Sequence, residues 1–127
     1  MEINIPNDCG NAPRKIFLKD FHVALAEGDI RFLEKHVTEA ISWEIIGCKS
    51  IETKARYLEE VRHYPQWNVQ KLTIDAIITH GNDAAVHGKF TTADGNEFAF
   101  SDLYKFKGSK GFDVKSRKSF LIKLSKQ

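Results

Sequence analysis

Two carboxylates stand inside apolar, strand-like runs: Glu44 in ISWEIIGC (Ile41–Cys48) and Asp102 in EFAFSDLYKF (Glu97–Phe106). Successive side chains of a strand point to opposite faces. Asp102 therefore shares a face with Phe98, Phe100, Tyr104 and Phe106. Glu44 travels with Ser42 and Ile46, while Ile41, Trp43 and Ile45 take the other face. A carboxyl group desolvated in an apolar pocket holds its proton to higher pH. Such a group can take a proton near neutrality, or stay protonated and donate a hydrogen bond. The opposite arrangement has each acid facing solvent or paired with Lys or Arg, because charged side chains are almost never fully buried alone.

Other residue types offer less. His22 and His36 fall in helical stretches, His63 near a helix end, and His80 and His87 flank a hairpin. No pair of them has the spacing that puts two ligands on one face with a third nearby, so no metal site is expected. Neither GxGxxG nor GxxxxGK[ST] occurs, and GSKG (Gly108–Gly111) reads as a turn, so no nucleotide cofactor is expected. Cys9 and Cys48 make neither a disulfide framework nor a zinc site.

The elements that must hold Glu44 and Asp102 follow from periodicity. PRKIFLKDFHVALA (Pro13–Ala26) carries apolar residues at helical spacing, with Pro13 near its start and Gly28 past its end. Asp29 is the natural N-cap of a second helix, Ile30–His36, and Ile41–Ile46 follows as a strand. Ser50 and Thr53 both offer caps for a third helix that ends before Pro65. The period then changes to two: strands over 69–79, 84–92, 97–106 and 112–124, with turns at Gly81–Asp83, Ala93–Gly95 and Gly108–Gly111. Three helices followed by a meandering antiparallel sheet is an α+β domain with its helices on one face.

The 127 residues make one domain, with residues 1–12 as a loose leading segment. The start of the chain lacks the basic and apolar regions of a signal peptide, and no run is long enough to span a membrane, so a cytoplasmic location is expected. Of the chain's 19 basic and 17 acidic residues, eight and one lie in Lys105–Gln127, which leaves 11 and 16 before it. That basic stretch could meet an acidic partner, or simply line a solvated sheet face with lysines. Nucleic acid is not expected, because the nearby aromatics Tyr104, Phe112 and Phe120 are needed for the core.

ALAEGDIRFLEKHVTEAISWEIIG (Ala24–Gly47) resembles the opening of SnoaL-like and ketosteroid isomerase-like members of the nuclear transport factor 2-like superfamily. These share a helix ending in xxGD, a short second helix, an acidic or small-residue turn and a strand ending in Gly. FSDLYKFKGSKGFDVKS (Phe100–Ser116) resembles their late strand–turn–strand, so the likeness covers nearly the whole chain. The resemblance implies a cone: three helices packed in the concavity of a strongly bent, mostly antiparallel, cystatin-like sheet, around an apolar cavity. It also implies a homodimer formed through the outer sheet face.

Matching Gly28–Asp29 and Gly47, with a one-residue gap between, puts Glu44 where steroid isomerases keep their general base. Asp102 falls where they keep a protonated acid that donates to the oxyanion, and Phe21 stands in place of their oxyanion Tyr. Losing one such donor costs on the order of 10²–10³ in rate. Steroid isomerisation is therefore disfavoured unless Tyr104 or His22 supplies the donor. Limonene-epoxide-hydrolase-like members use an Asp–Arg–Asp cluster. Here Arg56 and Arg62 lie on the third helix and Arg117 on the last strand, so no Arg is expected between strand acids. The first expectation is a small-molecule binding protein whose cavity is lined by Phe21, His22, Trp43, Tyr57, Trp67, Phe98, Phe100 and Tyr104. The alternative is a cofactor-independent isomerase, cyclase or hydrolase using Glu44 as acid and base, with Asp102 bonded to the oxyanion of an apolar carbonyl compound.

Overall fold

Pro13, which needs no hydrogen-bond partner for its nitrogen, opens the first helix, α1 (Pro13–Glu27). Gly28 ends it with a left-handed φ of 76°, a conformation that glycine adopts without steric cost. The Asp29 side chain accepts from the Phe32 N–H at 3.2 Å and starts α2 (Ile30–His36), as expected. α3 (Lys54–His63) begins after Thr53, whose Oγ1 accepts from the Arg56 N–H at 3.4 Å. The computed structural model describes residues 1–5, 12–63 and 68–124.

Seven strands form one sheet: β1 (Glu2–Asn4), β2 (Val37–Ile45), β3 (Lys49–Glu52), β4 (Val69–His80), β5 (Asp83–Thr92), β6 (Glu97–Phe106) and β7 (Val114–Lys123). Their order is β1-β4-β5-β6-β7-β2-β3. The meander from β4 to β7 is antiparallel and β3 pairs antiparallel with β2, whereas β1–β4 and β2–β7 are parallel. Two of these strands correct the sequence expectation. Residues 2–4, expected to be loose, add an edge strand beside β4, and Ser50, expected as a helix cap, lies within β3. Both segments are short and polar, so periodicity carries no signal for them, and only an adjacent strand edge supplies their hydrogen bonds.

Register shifts interrupt β4–β5, β6–β7 and β2–β7, each adding local twist and bend. Beside the shift in β4 lies Gly88, where an added Cβ would meet the Thr73 carbonyl oxygen at 2.0 Å. Glycine is thus required for the two backbones to approach so closely. The concave face meets α1 through Phe17, Leu18, Phe21, Ala24 and Leu25, and these pack with Trp43, Ile74, Val86, Phe90 and Phe106 in one core. At one end of α1, the Arg14 guanidinium donates to the carbonyls of Gly81, Gly108 and Gly111 at 2.9–3.1 Å and covers the Phe106 ring at 4.4 Å. One side chain thereby ties the helix to two sheet turns. Among the described residues, no helix is long and apolar enough to cross a membrane.

Candidate functional site

Two neighbouring rungs of the sheet build the site. In one, Tyr104 on β6 is paired with Arg117 on β7, which is paired with Trp43 on β2. In the next, Asp102 pairs with Ser119, which faces Ile45. Alternation turns all of these side chains toward the helices, and each is buried. His22 reaches the same place from α1 and Tyr57 from α3.

Arg117 is the centre of the cluster. Its guanidinium donates to Asp102 Oδ2 and to Tyr57 Oη, each at 3.0 Å, and lies over the Trp43 ring at 4.5 Å. Trp43 Nε1 in turn donates to Ser119 Oγ at 2.8 Å. On the other side, Tyr104 Oη is 2.7 Å from His22 Nε2 and donates to Asp102 Oδ2 at 3.5 Å. Phe100 stacks on the His22 ring at 5.2 Å, and Phe21 meets Tyr104 edge-on at 5.7 Å. A polar network is thereby set in an aromatic wall.

Burial controls its protonation. Desolvation pulls His22 from 6.5 to about 4; Asp102 opposes that shift and Arg117 reinforces it. The imidazole is therefore neutral at neutral pH. Burial pushes the Tyr104 phenol well above 10 and raises that of Tyr57, with Arg117 opposing both. Both phenols keep their hydrogens. Among the described residues, no three side chains of His, Cys, Asp or Glu gather as a metal ion would require.

The structure brings together Asp102, Tyr104, His22, Phe21, Phe100, Trp43 and Tyr57, and it leaves Phe98 half-buried against Phe90 at 5.1 Å. Glu44 is not among them. Its side chain is 48% exposed on the outer face, 3.8 Å from Lys118. The alternation expected for 41–46 is correct, but the face carrying Ile41, Trp43 and Ile45 is the one that enters the core, because those three remove far more apolar surface from water. This corrects the placement of Glu44 as a cavity carboxylate. Trp67 lies outside the described residues.

Arg117 is the residue that sequence reasoning placed on the last strand but not beside an acid. The register of β6 on β7 would have found it, since Tyr104 and Asp102 face inward and their cross-strand partners must do the same. The sequence assigns Phe120 to the core, whereas Phe120 and Ile122 lie on the face opposite Arg117 and are exposed, and Val114 and Leu121 are the apolar residues of β7 that meet the core.

Residues 18–112 match the family model of the SnoaL-like domain, well over half of the 127-residue chain. The chain belongs to the SnoaL-like domain family. This SnoaL-like chain also superimposes on solved structures. An NTF2-like protein of unknown function from Cytophaga hutchinsonii is 22% identical, with 86% of this chain and 99% of that one covered at a TM-score of 0.67. A protein with a cystatin-like fold from Silicibacter pomeroyi is 12% identical, with 83% and 72% covered at 0.68. An LEH-like epoxide hydrolase from M. tuberculosis is 14% identical, with 83% and 79% covered at 0.67. At such identities the likeness is one of fold, and it agrees with the α+β cone expected for a SnoaL-like domain. No curated protein sequence matches the chain.

Proposed function

We propose that this SnoaL-like domain is a small-molecule binding protein whose ligand lies against the concave sheet face, its apolar body on Phe98, Phe100 and Phe21 and its polar end at the His22–Tyr104–Asp102–Arg117 cluster. The observation that carries this reading is the ion pair between Arg117 and Asp102, whose side chains are 0% and 2% exposed within an aromatic wall. A closed core gains nothing from such a pair, and hydrocarbon of the same volume is often equally or more stable there. Ionisable groups kept in that setting are candidates for recognition.

The alternative, an isomerase, cyclase or hydrolase with Glu44 as acid and base, has no support from the geometry, since Glu44 lies outside the cone. Epoxide hydrolysis by an Asp–Arg–Asp cluster lacks its second acid, because Asp102 is the one buried carboxylate among the described residues.

The test uses N-phenyl-1-naphthylamine, a neutral apolar fluorophore. Saturable enhancement with one site per chain is expected from the wild type and from Glu44→Gln, and its loss from Phe98→Asp. Absence of enhancement with the wild type, or an unchanged signal from Phe98→Asp, would overturn the reading.

A further inference from the structure

The cluster around Arg117 is sealed. Trp43 and Tyr57 are 0% exposed, Tyr104 1% and Arg117 2%, so an element must move before water or a ligand can reach it. The two helices that reach the cluster are held very differently. α1 buries seven side chains, and Arg14 fastens one of its ends to three carbonyls. α3 buries only Tyr57 and Val61 of its ten residues. Its ion pairs, Glu60 with Lys49 at 2.8 Å and Lys54 with Glu39 at 3.6 Å, each have a partner open to water and hold little. A segment with so little buried apolar surface opens at a lower free energy than the body of the fold.

The start of α3 also carries strain. Thr53 has a φ of 78°, and among the described residues it is the one non-glycine with a positive φ. A β-branched side chain fits that conformation badly, and it persists only where the surroundings enforce it. Here a bond on each side of the turn enforces it. The Thr53 N–H donates to the Ile41 carbonyl of β2 at 3.0 Å, and the Thr53 carbonyl accepts from the Tyr57 N–H at 3.0 Å. Tyr57 stands one helical turn further on. Its ring packs on Trp43 at 5.1 Å, and its Oη accepts from Arg117 at 3.0 Å. A single turn of helix thus joins the strained residue to the side chain that covers the cluster.

We propose that α3 is a lid: its first turn swings off β2 about Thr53, lifting Tyr57 from Trp43 and Arg117 and opening the cluster. Motion about Thr53 relaxes its backbone, which offsets part of the cost of exposing Tyr57. The lid gates the site of the ligand-binding reading above, yet its motion is observable without a ligand.

Native-state hydrogen exchange of the full chain at neutral pH tests it. The α3 amides should show protection about a hundredfold or more below that of the β6 and β7 amides, with little dependence on urea. The reporter inside the site is the Trp43 indole N–H, bonded to Ser119 at 2.8 Å and packed under Tyr57. It should share the low protection and flat urea dependence of α3. Thr53→Asn, which keeps a capping oxygen and accepts a positive φ, should slow α3 exchange about tenfold. Tyr57→Phe, which deletes the oxygen held by Arg117, should quicken it about tenfold.

α3 amides as protected as the sheet, or a Trp43 indole that exchanges only with global unfolding, would overturn the lid on the wild type alone. An α3 rate unchanged in Thr53→Asn would overturn the hinge. None of these readouts uses a ligand, so their failure strikes the lid alone, whereas failure of the fluorophore strikes the ligand-binding reading alone.

Discussion

Two ion pairs on adjacent residues of β7 show what one step along a strand can do. Arg117 pairs with Asp102 at 3.0 Å with both side chains sealed from solvent, whereas Lys118 meets Glu44 at 3.8 Å with both half exposed. The charges are alike and the backbones are neighbours. The inner pair has lost its water and has hydrogen bonds in exchange, so removing one partner strands a charge in the core. The outer pair keeps its water and gains little. A carboxylate's neighbours on the sheet, rather than its own type, decide whether it can serve a site.

Breaking the inner pair gives the largest effect. Asp102→Ala leaves Arg117 uncompensated and should lower unfolding stability by about 3–5 kcal/mol in urea at neutral pH. The double variant Asp102→Leu/Arg117→Met should recover most of that loss, since a well-packed apolar pair replaces the buried ions. A double variant no more stable than the single one would mean that the network, and not the stranded charge, holds the fold.

Acid should act on the inner face next. His22, faced by Asp102, Tyr104 and Arg117, titrates at about 4 in the folded protein against 6.5 as the ordinary value. Between those values the unfolded chain binds a proton that the folded chain does not, so its contribution is intact above pH 6.5 and is lost as pH falls toward 4. The loss is of order 3 kcal/mol. It should appear as a steeper acid limb in the wild-type stability profile than in His22→Phe, and parallel profiles would count against it.

On the outer face, Ile78, Leu103, Phe120 and Ile122 are exposed large apolar side chains. Across the sheet, Leu103 pairs with Lys118, and Ala99 with Ile122. We propose that a second copy covers this face. Phe120→Lys should then convert a dimer to a monomer in sedimentation while changing monomer stability by only about 0.5 kcal/mol. A wild type that sediments as a monomer would end that proposal.

The smallest effect belongs to Glu44→Gln, expected within about 0.5–1 kcal/mol of wild type. A loss as large as that of Asp102→Ala would erase the contrast between the faces.

Much of this was legible in the sequence. The sequence predicts β6 over Glu97–Phe106, with Asp102 and Tyr104 on one face, because four aromatics at period two leave little choice of side. The Asp29 cap predicts α2, and Gly28 the end of α1, because both signals are local and chemical. Glu44 was the difficult case. Alternation separated it from Trp43 but could not name the buried side.

What the sequence determined by itself is the three helices and the strands β2 and β4 to β7, their order, and which residues travel together on each strand, since those follow from periodicity and capping within a few residues. The tertiary structure alone decided which face of β2 and β7 turned inward, and so brought Arg117 to Asp102 and sent Glu44 outside. The physical reason is register. Face and partner are set by hydrogen bonding between β6, β7 and β2, of which β2 lies far from the other two along the chain, and a shift of one residue exchanges every inner side chain for an outer one.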